Sequence, residues 1–249
     1  MENLIKKAVQ DIAAAKKITA LTGAGISVES GIPPFRGKDG LWEKIDPMKY
    51  AHIDYFLQNP SDVWNKFLKE MKSVIAQAQP NDAHKGLAKL ETMNLLQTVI
   101  TQNIDGLHQM AGNTDVIEFH GNFAWLRCME CNTTCKIGDV DLSEIPPKCS
   151  CGGLYRPDCI FFGEMIPPLH LSRSQEIASD CDLMLVVGTS AVVQPAAFMP
   201  VIARDNGAKV IEINPEATPL TGSISNYLLM GKAGEIMNSI ITELEEIAA

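Results

Sequence analysis

The sequence has no long apolar run, no repeated segment and no excess of basic residues. No stretch approaches the roughly 18 consecutive apolar residues that a membrane-spanning helix needs. The N-terminus carries no apolar block typical of a cleaved signal peptide. We therefore expect a cytoplasmic protein without a membrane partner. Lysine and arginine number 21 against 30 acidic residues, and the net charge of −9 argues against direct nucleic-acid binding while suiting lysine-bearing partners.

Cysteine is scarce outside one short segment. Five of the seven cysteines lie between residues 128 and 151. Such clustering is typical of a metal site in a reducing compartment rather than of a disulfide framework, with free buried thiols as the alternative.

The spacing of these cysteines predicts a zinc ribbon. Cys128-x-x-Cys131 and Cys149-x-Cys151 are two pairs 18 residues apart, and four thiolates so arranged can surround a tetrahedral zinc ion. The second pair is one residue tighter than C-x-x-C, so Cys135 stays an alternative ligand. A site closed by four sulfurs has no open position, so we expect one structural Zn²⁺ without a catalytic role.

The order of the predicted elements favours an α/β fold. Apolar segments at 18–21, 96–101, 116–119, 183–187 and 209–213 alternate with amphipathic segments at 2–16, 81–91, 172–179 and 236–247. This alternation predicts a doubly wound parallel, Rossmann-like sheet. The run 183–187 is apolar throughout, as expected for a strand that is buried on both faces.

Two segments interrupt this alternation. Residues 38–80 concentrate aromatic side chains between prolines and predict a small helical module, whereas residues 125–156 contain the clustered cysteines and predict a zinc-ribbon module. The remaining stretches, 1–37, 81–124 and 157–249, are predicted to form a discontinuous Rossmann-like domain. We expect its main sheet to resume after residue 157.

A glycine turn follows the first predicted strand. Gly23-Ala24-Gly25 leads into a helix, and such a turn leaves backbone N–H groups free for an anion such as a dinucleotide pyrophosphate. The G-x-G-x-x-G fingerprint is incomplete, because Val28 replaces its third glycine and no acidic residue ends a second strand about 20 positions on. A tight turn without a ligand is the alternative.

Further candidate ligand residues lie in a proline-rich loop and behind strands. The loop 31–36 carries Phe35 and Arg36 and is predicted to fold over a ligand. Polar clusters at 102–108 and 188–190 follow two predicted strands. In an open α/β sheet, ligands bind at the carboxyl ends of the strands.

Seven motifs that occur in one order identify a family resemblance. They are TGAGISVESGIPPFRG (22–37), TQNIDGLH (101–108), EFHG (118–121), the paired cysteines, RPDCIFFGE (156–164), GTSAVVQP (188–195) and INPE (213–216). Together they closely resemble the sirtuins, which are NAD-dependent protein lysine deacylases, and the compact length is similar to that of prokaryotic members.

The resemblance implies the reaction and its partners. NAD and an acetyl-lysine protein or peptide would meet between a large dinucleotide-binding domain and a smaller lobe made of the two inserted modules. The acyl oxygen would attack C1′ of the nicotinamide ribose and nicotinamide would leave. A ribose hydroxyl would then attack the resulting imidate, and hydrolysis would release free lysine and acyl-ADP-ribose. The acetyl group would thus be transferred from lysine to ADP-ribose.

The resemblance also implies residue roles. His120 would be the general base, since an imidazole with a pKa near ~6.5 can take a proton at neutral pH, and Asn103 would hold the ribose or a water. The implied NAD-binding residues are Gly23, Ala24, Gly25, Val28, Phe35, Arg36, Gln102, Asn103, Ile104, Asp105, His120, Gly188, Thr189, Ser190, Asn214, Lys232 and Ala233. The implied peptide-binding residues are Ile160, Phe162, Gly163 and Glu164, and the metal ligands are Cys128, Cys131, Cys149 and Cys151.

Departures from the family pattern bear on the acyl group. Pro34 stands where most members have Asp or Thr, and Val28 replaces a small or hydroxyl residue. The branch that removes succinyl and malonyl groups carries Tyr-x-x-Arg, and here those positions are Phe67 and Glu70. An arginine would clamp the acyl carboxylate whereas Glu70 would repel it, so we predict neutral acyl groups, with acetyl preferred.

Two other functions use the same features. A protein mono-ADP-ribosyltransferase would share the NAD site but transfer to a different acceptor. A non-catalytic NAD-sensing module with a zinc ribbon would need no base. The presence of His120, Asn103 and Asp105 weighs against the non-catalytic alternative.

Overall fold

The computed structural model describes residues 1–35 and 40–248, without the side chains of Trp42, Lys44 and Ala248. The strands of this part of the chain are β1 (Ile18–Thr22), β2 (Leu96–Thr101), β3 (Val116–Glu118), β4 (Gly121–Cys128), β5 (Thr134–Lys136), β6 (Tyr155–Cys159), β7 (Leu183–Val187), β8 (Lys209–Asn214) and β9 (Tyr227–Met230). Six of them form one parallel sheet in the order β3-β2-β1-β7-β8-β9. The predicted doubly wound parallel sheet is confirmed, and β9 is a strand that the sequence analysis did not predict.

The helices are α1 (Glu2–Ala14), α2 (Leu41–Lys44), α3 (Pro47–Tyr50), α4 (Ile53–Gln58), α5 (Pro60–Val63), α6 (Lys69–Gln77), α7 (Asp82–Thr92), α8 (Leu107–Ala111), α9 (Pro168–Asp180), α10 (Met199–Asp205) and α11 (Ala233–Ala248). A π-helical stretch, Trp64–Leu68, joins α5 to α6. None of the helices in the described ranges is long and apolar enough to cross a membrane.

Alternate side chains of the strands serve two separate cores. In β7, Leu183, Leu185 and Val187 pack with α1, α7 and α11 on one face, while Met184 and Val186 pack with α9 and α10 on the other. All five residues of β7 are buried. The apolar run at 183–187 is therefore a central strand covered on both faces, as its composition predicts.

A second, smaller sheet takes up β6. This sheet is antiparallel, in the order β5-β4-β6. The main sheet does resume after residue 157, but only with β7, because the segment around Pro157 belongs to the smaller sheet. Tyr155, Pro157 and Cys159 are buried and alternate with half-buried Arg156 and Asp158. Such period-2 burial is typical of a strand with one covered face. The boundaries of the three modules stay a prediction.

The segment α2–α6 packs on the smaller sheet. Phe56, Trp64 and Phe67 share one hydrophobic core with Leu126 and Phe161 from the sheet side. The indole N–H of Trp64 also donates to the carbonyl oxygen of Tyr155 at 3.1 Å. Because a buried indole N–H needs an acceptor, this bond fixes the helical segment on the sheet.

The glycine turn after β1 packs against the loop after β7. A 3-10 helix, Ala24–Ser30, follows the turn. The N–H of Gly23 donates to the carbonyl oxygen of Val187 at 3.1 Å, and that of Gly25 to the carbonyl oxygen of Gly188 at 2.7 Å. The expectation that these two N–H groups are free for an anion is therefore wrong, because the neighbouring loop already accepts them.

These glycines are required by close backbone approach. A Cβ on Gly25 would lie 2.7 Å from the carbonyl oxygen of Gly188. Gly188 has φ +61, and a Cβ there would collide with the backbone nitrogen of Ile26. A side chain on either residue would separate the loops that follow β1 and β7.

We predict that Gly188→Ala destabilises the fold by about 3 kcal/mol or more, since it adds a steric clash to a left-handed backbone. Thermal or urea unfolding followed by circular dichroism measures this loss. Gly207→Ala is the matched control, because Gly207 has φ +93 but no atom beyond its two chain neighbours within 4 Å of its Cβ position. The control should lose only about 1–2 kcal/mol from backbone strain. Equal losses in the two variants would contradict the clash.

Candidate active site

A cavity of 1090 Å³ lies between the carboxyl ends of the main sheet and the smaller lobe. The sheet side contributes Gly23, Gln102, Thr189 and Asn214, and the lobe side contributes Phe67, Phe123, Ile160 and Phe162. The strand order changes direction between β1 and β7, which is where open α/β sheets bind their ligands. The cavity is therefore the leading candidate for a binding site.

The structure gathers nearly all of the predicted site residues around this cavity. The lining includes Gly23, Ala24, Gly25, Val28, Phe35, Gln102, Asn103, Ile104, His120, Ile160, Phe162, Gly163, Glu164, Gly188, Thr189, Ser190, Asn214, Lys232 and Ala233. Asp105 instead lines a small adjoining cavity that shares Phe35, Asn103 and Ile104. Arg36 lies outside the described residues.

His120 follows β3 and is held by the end of β2. Its Nδ1 lies 3.0 Å from the carbonyl oxygen of Gln102. Because a carbonyl oxygen can only accept, Nδ1 carries the proton and Nε2 keeps its lone pair. Burial lowers the pKa of His120 below its ordinary value. The imidazole is therefore neutral at pH 7 and can accept a proton at Nε2.

A hydrogen-bonded group that the sequence analysis only partly predicted lies beside the cavity. The side-chain amide of Asn103 donates to the hydroxyl of Ser27 at 3.1 Å and to the carbonyl oxygen of Gly23 at 3.2 Å. Ser27 in turn donates to the carboxylate of Asp105 at 2.7 Å. Burial raises the pKa of Asp105, against hydrogen bonds from Leu107 N–H and Ser27 that lower it.

Ser27 is the residue that sequence reasoning missed. It is fully buried, although serine is mostly exposed in folded proteins. Its position within the motif at 22–37 was the available signal, but no role was assigned to it. The structure shows that it links the strand ends by bonding to both Asn103 and Asp105.

Two buried histidines stand behind this group. Burial lowers the pKa of His84 to about 3 and that of His108 to about 4, so both rings are neutral at pH 7. Nε2 of His108 is 2.9 Å from the hydroxyl of Thr22, and His84 completes the capping box of Asn81 at the start of α7. Neither ring lines the cavity, and these contacts are structural.

Polar side chains at the ends of β2 and β7 are bonded to each other. The amide of Gln102 donates to the hydroxyl of Thr189 at 3.0 Å and to the carbonyl oxygen of Thr22 at 3.3 Å. Farther along the sheet edge, the amide of Asn214 donates to the carbonyl oxygen of Glu216 at 2.8 Å. These bonds hold the polar groups of this wall in defined orientations.

Glu164 lies in the cavity wall with its carboxylate already bonded. Both oxygens accept from the guanidinium of Arg156 at 2.6 Å, and one also accepts from the N–H of Phe161 at 2.8 Å. Its predicted role in peptide binding stays a prediction.

The cysteine cluster fits a zinc ion. The sulfur atoms of Cys128, Cys131, Cys149 and Cys151 all lie within 4.8 Å of one another. Two of the sulfur pairs are separated by 3.5 and 3.7 Å, close to the ~3.8 Å expected when four thiolates surround zinc at about 2.3 Å. Cys135 lies outside the cluster, so the geometry favours the two pairs over this alternative ligand.

We predict that the purified protein holds one zinc ion per chain and that Cys149→Ser loses it, because a hydroxyl replaces a thiolate ligand. Cys135→Ser is the matched control and should keep full zinc content. Metal content by inductively coupled plasma mass spectrometry and Tm before and after chelation measure both effects. Zinc loss in the Cys135 variant but not in the Cys149 variant would overturn the assignment.

Comparisons with known proteins agree with this geometry. The model of the Sir2 family matches residues 23–195. A relative from Archaeoglobus fulgidus, named NAD-dependent protein deacylase 1, is 45% identical over 242 residues, covering 97% of this chain and 98% of the relative. The structure of a mutant Sir2 homologue with ADP-ribose superimposes with a TM-score of 0.93 at 43% identity, covering 98% and 97% of the two chains.

A further solved structure contains both a peptide and a dinucleotide. It is described as Sir2 with a p53 peptide and NAD⁺, and it superimposes with a TM-score of 0.89 at 37% identity over 96% of this chain and 98% of the other. The family match covers more than half of the chain, and the relatives are aligned over nearly their whole length. This chain belongs to the Sir2 family.

Proposed function

We propose that this protein is an NAD-dependent protein lysine deacylase that prefers acetyl-lysine. The observation that carries the proposal is the cavity where the neutral imidazole of His120 and the glycine turn after β1 line one space. The relative named NAD-dependent protein deacylase 1 supports the reaction class. The p53 peptide in a similar structure supports a peptide substrate.

The residues at the carboxyl ends of the strands fit a dinucleotide. Gly23, Ala24 and Gly25 present backbone with little side chain, which permits close approach of a pyrophosphate. Thr189 and Asn214 supply polar groups farther along the same wall. When bound, NAD supplies an electrophilic anomeric carbon and nicotinamide as the leaving group.

His120 would act as the general base for a ribose hydroxyl. Its Nε2 is the free acceptor, and its Nδ1–H stays bonded to the carbonyl oxygen of Gln102 when Nε2 takes a proton. That carbonyl dipole stabilises the resulting imidazolium. The base is thereby oriented and prepared before substrate binds.

Asn103, Ile104 and Asp105 would form the nicotinamide end of the site. An amide ring substituent needs one donor and one acceptor. The carboxylate of Asp105 can accept from the NH₂ group, and backbone near Ile104 can donate to its carbonyl. Phe35 borders both cavities and would exclude water from the reacting face of the ribose.

The acyl-lysine side of the cavity is apolar. Phe67, Ile160 and Phe162 line it. Among the described lining residues, the one lysine or arginine is Lys232, which directly precedes α11. A carboxylate on the acyl group would thus lack a cationic partner near Phe67.

Glu70 is exposed and does not line the cavity. The expectation that it repels an acyl carboxylate is therefore wrong. The proposed preference for neutral acyl groups rests instead on the lack of a described cation beside Phe67.

We predict that His120→Asn lowers deacetylation of an acetyl-lysine peptide by a factor of about 10² to 10⁴, because it removes the base and keeps a donor for the Gln102 carbonyl. Mass spectrometry of free peptide and acetyl-ADP-ribose measures the loss. NAD binding and Tm should stay near wild type. Full activity in this variant would refute the assignment of the base.

The same base sets the expected pH dependence. Protonation of Nε2 at low pH removes the acceptor, so kcat/KM falls as pH drops through the pKa of His120. Because burial lowers that pKa, the acidic limb should lie below the ordinary histidine value of about 6.5. His120→Asn should lack this limb.

We predict that a panel of acyl-lysine peptides is processed in the order acetyl over succinyl, with a discrimination of at least tenfold in kcat/KM, because no described cation faces the succinyl carboxylate. Mass spectrometry of each peptide with NAD measures it. Succinyl turnover equal to acetyl turnover would contradict the prediction. A protein product carrying ADP-ribose without deacylation would instead support the mono-ADP-ribosyltransferase alternative.

A further inference from the structure

Arg156 and Glu164 form the least exposed ion pair among the described residues, and Glu164 lines the cavity. Two guanidinium nitrogens each lie 2.6 Å from a carboxylate oxygen, a bidentate geometry. The two side chains are only 12% and 24% exposed. Burying such a pair costs desolvation, which is offset only where the geometry is good and the remaining polar atoms are hydrogen-bonded.

Each member of the pair also binds backbone between them. The guanidinium of Arg156 donates to the carbonyl oxygen of Cys159 at 2.5 Å, and the carboxylate of Glu164 accepts from the N–H of Phe161 at 2.8 Å. The guanidinium carbon lies 4.6 Å from the centre of the Phe161 ring. The pair thus closes a loop of chain from the end of β6 to residue 164.

The enclosed segment, 159–164, is a wall of the cavity. Ile160 and Phe162 line the cavity from this segment. Phe162 is also bonded through its backbone to the helical module, since its N–H donates to Ala51 and its carbonyl oxygen accepts from the N–H of Ile53, at 2.8 and 3.0 Å. A shift of this segment would therefore change the shape of the cavity on its lobe side.

We propose that Arg156 and Glu164 act as a clasp, a pair of positioning residues that holds segment 159–164 in the shape that accepts the acyl-lysine peptide. This rests on the proposed function. In this role neither residue touches the reacting atoms. Glu164 contributes through the clasp rather than as a free carboxylate that contacts the peptide.

The chemistry of the pair explains why it suits this task. A guanidinium fork matches a carboxylate in a single plane, and it fixes both distance and orientation. A single hydrogen bond constrains the relative orientation of its two groups less strictly, because the groups can rotate about it. The clasp thus orders segment 159–164, with Glu164 in the cavity lining and Arg156 outside it.

The test uses Arg156→Gln, Glu164→Gln and the double variant. The single variants leave a largely buried charge unpaired and can fail to fold, whereas the double variant removes both charges together. In the folded double variant we expect KM for an acetyl-lysine peptide to rise about tenfold while KM for NAD changes less than about twofold. The two single changes should not add, because each already opens the clasp.

The chain offers a matched control pair. Arg127 and Asp158 lie on β4 and β6 and form a bidentate pair with both distances 2.8 Å. They are more exposed, at 44% and 31%, and neither lines the cavity. Arg127→Gln with Asp158→Asn removes the same kind of interaction on the same sheet and should leave both KM values at wild type.

Peptide binding is measured separately from turnover, by fluorescence anisotropy of a labelled acetyl-lysine peptide. Weaker peptide binding in the double clasp variant but not in the control supports the clasp. Unchanged peptide KM and affinity with a lowered Tm would make the pair merely structural and overturn the proposal, as would equal rises in KM for NAD and peptide. Wild-type protein that binds peptide without deacylating it refutes the proposed function alone, and wild-type protein that does neither refutes both.

Discussion

The close backbone contact between two glycines, one after β1 and one after β7, sets the geometry of the whole site. Gly25 donates to the carbonyl oxygen of Gly188 at 2.7 Å, and neither position has room for a Cβ. This contact brings together the residues that follow β1 and β7 at the point where the strand order reverses. The cavity lies along that edge, and both glycines line its sheet side. In this chain the glycines serve packing of one loop on the other, and their N–H groups are not left over for a ligand.

Burial determines the protonation of the groups that surround the cavity. It lowers the pKa of His120 and raises that of Asp105, because a low-dielectric environment disfavours the charged form of each. Hydrogen bonds then decide which atom is available. The carbonyl oxygen of Gln102 accepts a hydrogen bond from Nδ1–H of His120, and the hydroxyl of Ser27 donates one to the carboxylate of Asp105. A neutral base with a defined tautomer and an oriented carboxylate are the result of packing rather than of any single charged neighbour.

Several features of the fold were predictable because they depend on the pattern of apolar and polar residues within short segments. The apolar run at 183–187 is a central strand with every residue buried, and the alternation of strands and helices yields a parallel sheet. The position of β6 was not predictable in this way. Its alternation of buried and half-buried residues suits either sheet, and the partner that it pairs with, β4, is chosen by the packing of the smaller lobe. Among the residues that the structure describes, the short strand β9 pairs with β8 alone, and its four residues give a weak local signal.

The sequence by itself determined which residue types lie near the cavity, since polar residues and glycines follow successive strands and parallel strands end at one edge. The spacing of the cysteines indicated a zinc site with two pairs of ligands and left Cys135 as an alternative ligand. Only the tertiary structure decided that Cys135 stands apart from them, that Ser27 joins Asn103 to Asp105 and that Glu164 is bound by Arg156. The physical reason is that the spacing of residues along a chain specifies only which way neighbouring side chains face and whether they are buried, over a few residues. The choice among hydrogen-bond partners distant in sequence depends on which backbones can approach closely enough to exclude water.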